Sequence, residues 1–341
     1  MADRGVEWAD FGWQGIFLRV PDEWNLGKVD GDAKSGYARL DDSEIVRAEV
    51  EWRETPDRGR RLPIPDLVNR YLDKLEKKAE KTDTPFSVTR QAKFLRDKRW
   101  LEGSEYEAFT WRADYLAYNL ARACPDCGRI LLLRVLARLT ENLEELADLV
   151  FRSVSCHSDD GQRYWAVYGM TFRVPEDFAL SKHELKSGNI QMTFERKNHS
   201  CRVQRLSMAQ MLLKGTTLED WYPNFFRKQL RDFNFDIAGT EVGDHRGLRV
   251  TGRPRSRFRQ LLRPLPLLNP RPRQHLDALV WHCEEGNRIC VVEHLYKRQK
   301  ERDDLTDRLS AAYVCHPQET EADARGDAQL ASGAKRPAQV G

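Results

Sequence analysis

The sequence predicts an α+β protein in which one domain plan occurs twice in tandem, each copy an antiparallel sheet with a middle helix and a C-terminal helix. Three observations predict it. First, a phrase recurs at an offset of 154 residues: Gly15–Lys28 and Gly169–Lys182 share Arg-Val-Pro, an acidic pair, an aromatic, a leucine and a lysine. Second, a cysteine frame recurs at an offset of 159. Cys124 and Cys156 stand 32 residues apart, as do Cys283 and Cys315, and each second cysteine is followed by histidine. Third, apolar residues alternate in short runs, broken by helix-spaced segments in the middle and at the end of each copy.

Taken in order, Gly15–Val20 reads as a strand stopped by Pro21, and the following Asp-Glu-Trp24 as a turn. Gly36–Leu40 and Glu44–Arg53 are strands, the second alternating Val46, Ala48, Val50 and Trp52. Ile64–Lys81 places Leu67, Val68, Tyr71, Leu72 and Leu75 at helix spacing. Strands follow near Phe86–Phe94, Tyr106–Arg112 and Tyr115–Ala123. A turn at Pro125–Gly128 leads into the strand Arg129–Arg138 and a closing helix, Glu141–Ser155. The second copy offers a middle helix at Leu218–Phe233, a hairpin of His275–His282 and Arg288–Arg298, and a closing helix at Glu301–Tyr313. The expected domains are 13–157 and 165–316, with an N-terminal extension 1–12, a linker 158–164 and a disordered tail 317–341.

The chain has 341 residues, 40% apolar and 32% charged, which suits two soluble domains of about 150 residues. Its net charge of +3 provides no global field for nucleic acid or anionic membrane. The N-terminus has no apolar signal core and no apolar run is long enough to span a bilayer, so the expectation is a cytoplasmic protein. In that compartment seven cysteines favour metal binding or buried thiols over disulfides.

The closing strand of each copy advances about 30 Å and the closing helix returns about 22 Å. The helix end therefore comes back toward the hairpin turn. This brings Cys124 and Cys127 near Cys156 and His157, a Cys₃His set suited to structural zinc. The second copy keeps Cys283, Cys315 and His316 but has Gly286 opposite Cys127. His282, Glu284 or Glu285 is then the candidate fourth ligand and an open three-ligand site the catalytic alternative, with a degenerate copy of the first site the favoured reading. The competing reading makes Cys124/Cys156 and Cys283/Cys315 disulfides or packed thiols. Cys201 and Cys290 read as core thiols.

The second copy alone carries an insert, 253–273, with seven arginines, five prolines and no acid. Arg253, Arg255, Arg257, Arg259, Arg263, Arg271 and Arg273 make it a candidate docking arm. Its expected partner is a protein, with nucleic acid or anionic lipid as the other anionic surfaces it suits. The prolines exclude a long helix there.

Leu18-Arg-Val-Pro-Asp-Glu-Trp24 and its echo Phe172-Arg-Val-Pro-Glu-Asp-Phe178, with the element order above, resemble the domain of PsbP-type photosystem proteins, DcrB-type lipoproteins and a Ran-binding import factor. The resemblance covers about residues 13–157 and 165–316. It implies an α/β/α sandwich for each copy and, because that fold mostly binds partners, a non-enzymatic role. The residues themselves agree with that. No histidine precedes His157, and no Gly-x-Ser-x-Gly, phosphate loop, dinucleotide fingerprint or His-Glu-x-x-His occurs. The alternative is a zinc- or thiol-dependent enzyme using Cys283, Cys315 and His316.

Overall fold

Antiparallel strands make up about half of the residues that the computed structural model describes, which are 6–55, 63–255 and 274–316. The N-terminal half runs β1 (Trp8–Trp13), β2 (Ile16–Pro21), β3 (Asn25–Gly31), β4 (Ser35–Asp41), β5 (Val46–Arg53), α1 (Ile64–Lys81), β6 (Ser87–Thr89), β7 (Glu105–Arg112), β8 (Tyr115–Ala123), β9 (Ile130–Arg138) and α2 (Glu144–Arg152). The C-terminal half runs β10 (Gln162–Val167), β11 (Met170–Pro175), β12 (Ala179–Lys186), β13 (Asn189–Arg196), β14 (His199–Ser207), α3 (Ala209–Leu212), α4 (Leu218–Phe225), α5 (Arg227–Leu230), β15 (Phe233–Val242), β16 (His245–Pro254), β17 (His275–Cys283), β18 (Arg288–Tyr296) and α6 (Leu305–Ala311). No described helix is long and apolar enough to cross a membrane.

The strands form three sheets. Two have seven strands each, in the orders β3-β4-β5-β9-β8-β7-β6 and β12-β13-β14-β18-β17-β16-β15. The third has four, in the order β11-β10-β1-β2, and is shared by both halves. Its central seam is narrow: β1 meets β10 through the pair Gly12↔Ala166. A Cβ on Gly12 would lie 2.9 Å from both the Ala166 nitrogen and the Tyr164 ring, so the approach requires glycine.

Alternation sends the two faces of each seven-stranded sheet to different cores. On β9, Leu131, Leu133, Val135 and Ala137 join the main core, whereas Leu136 packs with Ile64, Val68 and Leu72 of α1. On β17, Leu279 and Trp281 face the main core, whereas Leu276, Ala278 and Val280 pack with Tyr222, Phe226 and Leu230 of the α4–α5 segment. The main core is continuous through the shared sheet. The Trp13 and Trp165 rings meet edge to face at 5.2 Å, and Trp165 meets Phe194 at 4.9 Å. From its area alone each buried tryptophan contributes about 4–6 kcal/mol, offset in part by its buried indole N–H, which has no hydrogen-bond partner among the described residues.

Several elements differ from the sequence reading. Residues 8–12, expected in an N-terminal extension, form β1 together with Trp13, because Phe11 and Trp13 find their apolar partners in the core. The expected linker gives Gln162 onward to β10. Asn25–Gly31 is a strand despite its polar residues, because it is the outermost strand and only Leu26 is buried. The expected strand Phe86–Phe94 reduces to Ser87–Thr89. The expected helix Leu218–Phe233 is broken. Thr217 caps α4 by accepting from the Asp220 N–H, Pro223 sits inside it, and the backbone leaves the helix at Phe226 before β15 begins at Phe233. The closing helices are shorter than expected, at Glu144–Arg152 and Leu305–Ala311.

Candidate metal centres

The first centre is built by a hairpin turn and a helix tail. The β8–β9 turn closes with the Cys124 N–H donating to Arg129 O at 2.8 Å and the Gly128 N–H donating to Cys124 O at 3.1 Å. Gly128 holds φ 73°, a value that favours glycine. This turn presents Cys124 and Cys127. After α2 the chain is pinned to β2 by reciprocal backbone bonds between Phe17 and Ser155, at 2.8 and 3.0 Å, so Cys156 and His157 project over the turn. Arg129 fixes the same tail by donating to Cys156 O at 2.8 Å.

The four expected side chains converge. Cys127 Sγ lies 3.5 Å from Cys156 Sγ, and His157 Nδ1 lies 3.6 Å from both Cys124 Sγ and Cys156 Sγ. All four donor atoms fall within 4.8 Å of one another. A tetrahedral zinc separates two sulfurs by about 3.8 Å and a sulfur from a nitrogen by about 3.5 Å, so these spacings suit an ion at the centre. All seven cysteines are free, and the Cys127 and Cys156 sulfurs are in hydrogen-bond contact. The hydrogen bond between them holds Cys127 down at about 4, while that bond and burial push Cys156 up.

The second centre uses the same turn and tail with a different fourth group. Cys283 Sγ is 3.3 Å from His316 Nδ1, and Cys315 Sγ is 3.4 Å from it. The fourth donor is His245, whose Nε2 lies 3.1 Å from Cys315 Sγ, and these four atoms also fall within 4.8 Å of one another. His245 opens β16. The register Gly247↔Trp281, continued by two residues, brings it opposite Cys283. In the first sheet the register Glu105↔Ala123 brings Ser104, which carries no metal-binding group of this kind, opposite Cys124. Gly286 leaves no second thiol at the turn, and a Cβ there would lie 3.1 Å from Cys315 O. Arg288 donates to Cys315 O at 2.7 Å, as Arg129 does to Cys156 O. A hydrogen bond from Cys290 holds Cys315 down at about 4, and burial pushes Cys283 up to about 11.

Both centres share a feature that sequence reasoning missed. Each histidine turns Nδ1 to the sulfurs and Nε2 to a carboxylate: Asp126 at 3.6 Å from His157, Glu285 at 3.0 Å from His316. Glu285 is therefore a partner of the ligating ring and not the fourth ligand, and His282 and Glu284 do not join the cluster. A carboxylate on the far nitrogen fixes the tautomer that leaves Nδ1 free to ligate. Asp126 and Glu285 stand at matching places in the two turns, which is the signal that could have found them.

A cleft of about 580 Å³ opens beside the first centre, lined among others by Cys127, Cys156, His157, Arg163 and Glu176. Cys201 and Cys290 lie in the core at 0% exposure. Of the arginine arm, Arg253 lies within β16 and Arg255 donates to Asn234 Oδ1 at 3.2 Å. Arg257, Arg259, Arg263, Arg271 and Arg273 lie outside the described residues, as does the expected tail 317–341.

No protein-family model and no curated protein matches the chain. Among solved structures it is similar to the apo immunity protein TplEi of the type VI secretion system of Pseudomonas aeruginosa, at 10% identity and TM-score 0.35, over 93% of this chain and 100% of that one. It is also similar to the Ran-binding protein Mog1p of Saccharomyces cerevisiae, at 10% identity and TM-score 0.32, over 45% of this chain and 95% of that one. A third is the cyanobacterial PsbP of Synechocystis, at 15% identity and TM-score 0.32, over 46% and 97%.

Proposed function

We propose that the chain is a non-enzymatic, partner-binding tandem-repeat protein whose two domains each hold one structural zinc. One observation carries the zinc assignment: two four-donor clusters at matching turns and tails, each with a histidine whose far nitrogen faces a carboxylate. Four protein ligands close a zinc site and leave no position for water or substrate. His245 supplies the fourth group in the second domain, which supports a structural ion there over the open-site enzyme. The ion ties the last helix to the sheet, where each closing helix is short and cannot hold itself.

Contact with a partner protein is assigned to the second domain. Met208, Met211 and Phe225 are exposed around its short helices, at 50%, 69% and 47%, and Arg253 and Arg255 begin its basic segment. Elemental analysis of the purified chain tests the zinc reading, with two equivalents expected. Cys127→Ser and His245→Ala should each lose one equivalent and lower the melting temperature. A chain without bound metal whose thiols react only after reduction would overturn it.

A further inference from the structure

The two centres differ in one respect that bears on their regulation, and we infer that the first is a peroxide-sensitive zinc switch while the second is not. The inference rests on the two-zinc reading. At the first centre Cys127 is half-buried and lines the 580 Å³ cleft together with Cys156, whose sulfur is 3.5 Å away. At the second centre the place of Cys127 belongs to Gly286, and the fourth ligand is the imidazole of His245. Its two sulfurs, on Cys283 and Cys315, are 0% and 4% exposed. A zinc-bound thiolate open to solvent reacts with hydroperoxides, and a buried one does not. Imidazole offers no sulfur to attack.

The Cys127 thiolate attacks one peroxide oxygen. The O–O bond breaks, the other oxygen leaves as hydroxide and takes a proton to become water, and a sulfenic acid forms. The Cys156 thiolate then attacks the Cys127 sulfur, the S–S bond forms, and the second oxygen leaves as water after protonation. Two thiolates are oxidised, one hydrogen peroxide is reduced to two waters, and two protons are consumed. Cys124 and His157 alone do not retain the ion, which is released. Because Cys127 lies on the turn and Cys156 on the helix tail, the disulfide replaces the metal as the tie between them.

The test uses the full-length chain loaded with zinc, its metal content measured beforehand. Hydrogen peroxide is added with a chromophoric zinc indicator present, and the products are mapped by mass spectrometry. The expected result is fast release of one equivalent with a Cys127–Cys156 disulfide, and retention of the second. Cys127→His, which copies the donor set of the second centre, should keep its zinc and slow release at least about tenfold. Fewer than two equivalents before peroxide would overturn the two-zinc reading itself. Two equivalents followed by equal release from both centres, by no release, or by release without that disulfide would overturn this inference alone.

Discussion

The carboxylates behind the two ligating histidines act at the scale of single residues. Asp126 and Glu285 stand outside the two four-donor clusters, and each faces the far nitrogen of its histidine. Asp126→Asn and Glu285→Gln should each weaken zinc binding at their own centre about tenfold or more, read by competition with a chelator, while the other centre keeps its affinity. A second residue-scale effect lies away from the metal. His294 is fully buried on β18, with Nε2 2.9 Å from His199 Nδ1 and Nδ1 3.4 Å from Asp303. Burial holds its pKa down at about 4, assisted by the charge of His199 and opposed by Asp303. The unfolded ring titrates near 6.5 and takes up its proton first. The stability carried by the neutral ring is complete above pH 6.5 and is lost as pH falls through 4. His294→Gln should flatten the fall in urea midpoint over that window.

At the scale of elements, the α3–α4–α5 segment of the C-terminal half replaces the single helix α1 of the N-terminal half. Met208, which precedes α3, holds φ 61° with half of its side chain exposed, so it carries left-handed strain without compensating burial. Met208→Gly should raise stability by about 0.5–1 kcal/mol, measured as a shift in denaturant midpoint. Elements also show which features could be read from sequence. A strand such as β5, with Val46, Ala48, Val50 and Trp52 at every second position, declares itself by alternation. The turn thiols and tail histidine declare themselves by short spacing at the ends of elements. His245 does not, because cross-strand register brings it to Cys283 from 38 residues away. The break after α4 was hidden by an apolar spacing that continues past Pro223, and β3 by its position at a sheet edge, where a single buried residue suffices.

At the scale of the whole molecule, the shared four-stranded sheet couples the halves. Gly12→Val drives a branched side chain into the Ala166 backbone and the Tyr164 ring. It should cost about 1–3 kcal/mol and separate one thermal transition into two, read by calorimetry. This coupling was not legible in the sequence, since β1 lies ahead of the repeated phrase and its partner is about 150 residues away.

The same seam constrains how the protein is made. On the ribosome β1 and β2 emerge well before β10 and β11, and until then pair with each other. Trp13 lacks its two aromatic neighbours until Trp165 and His183 have been synthesised, because both belong to the other half. The nascent N-terminal half therefore carries an open apolar edge for most of its translation. A chain released at residue 160 would present that edge to chaperones and to other copies of itself, whereas the full-length product closes it with its own next two strands.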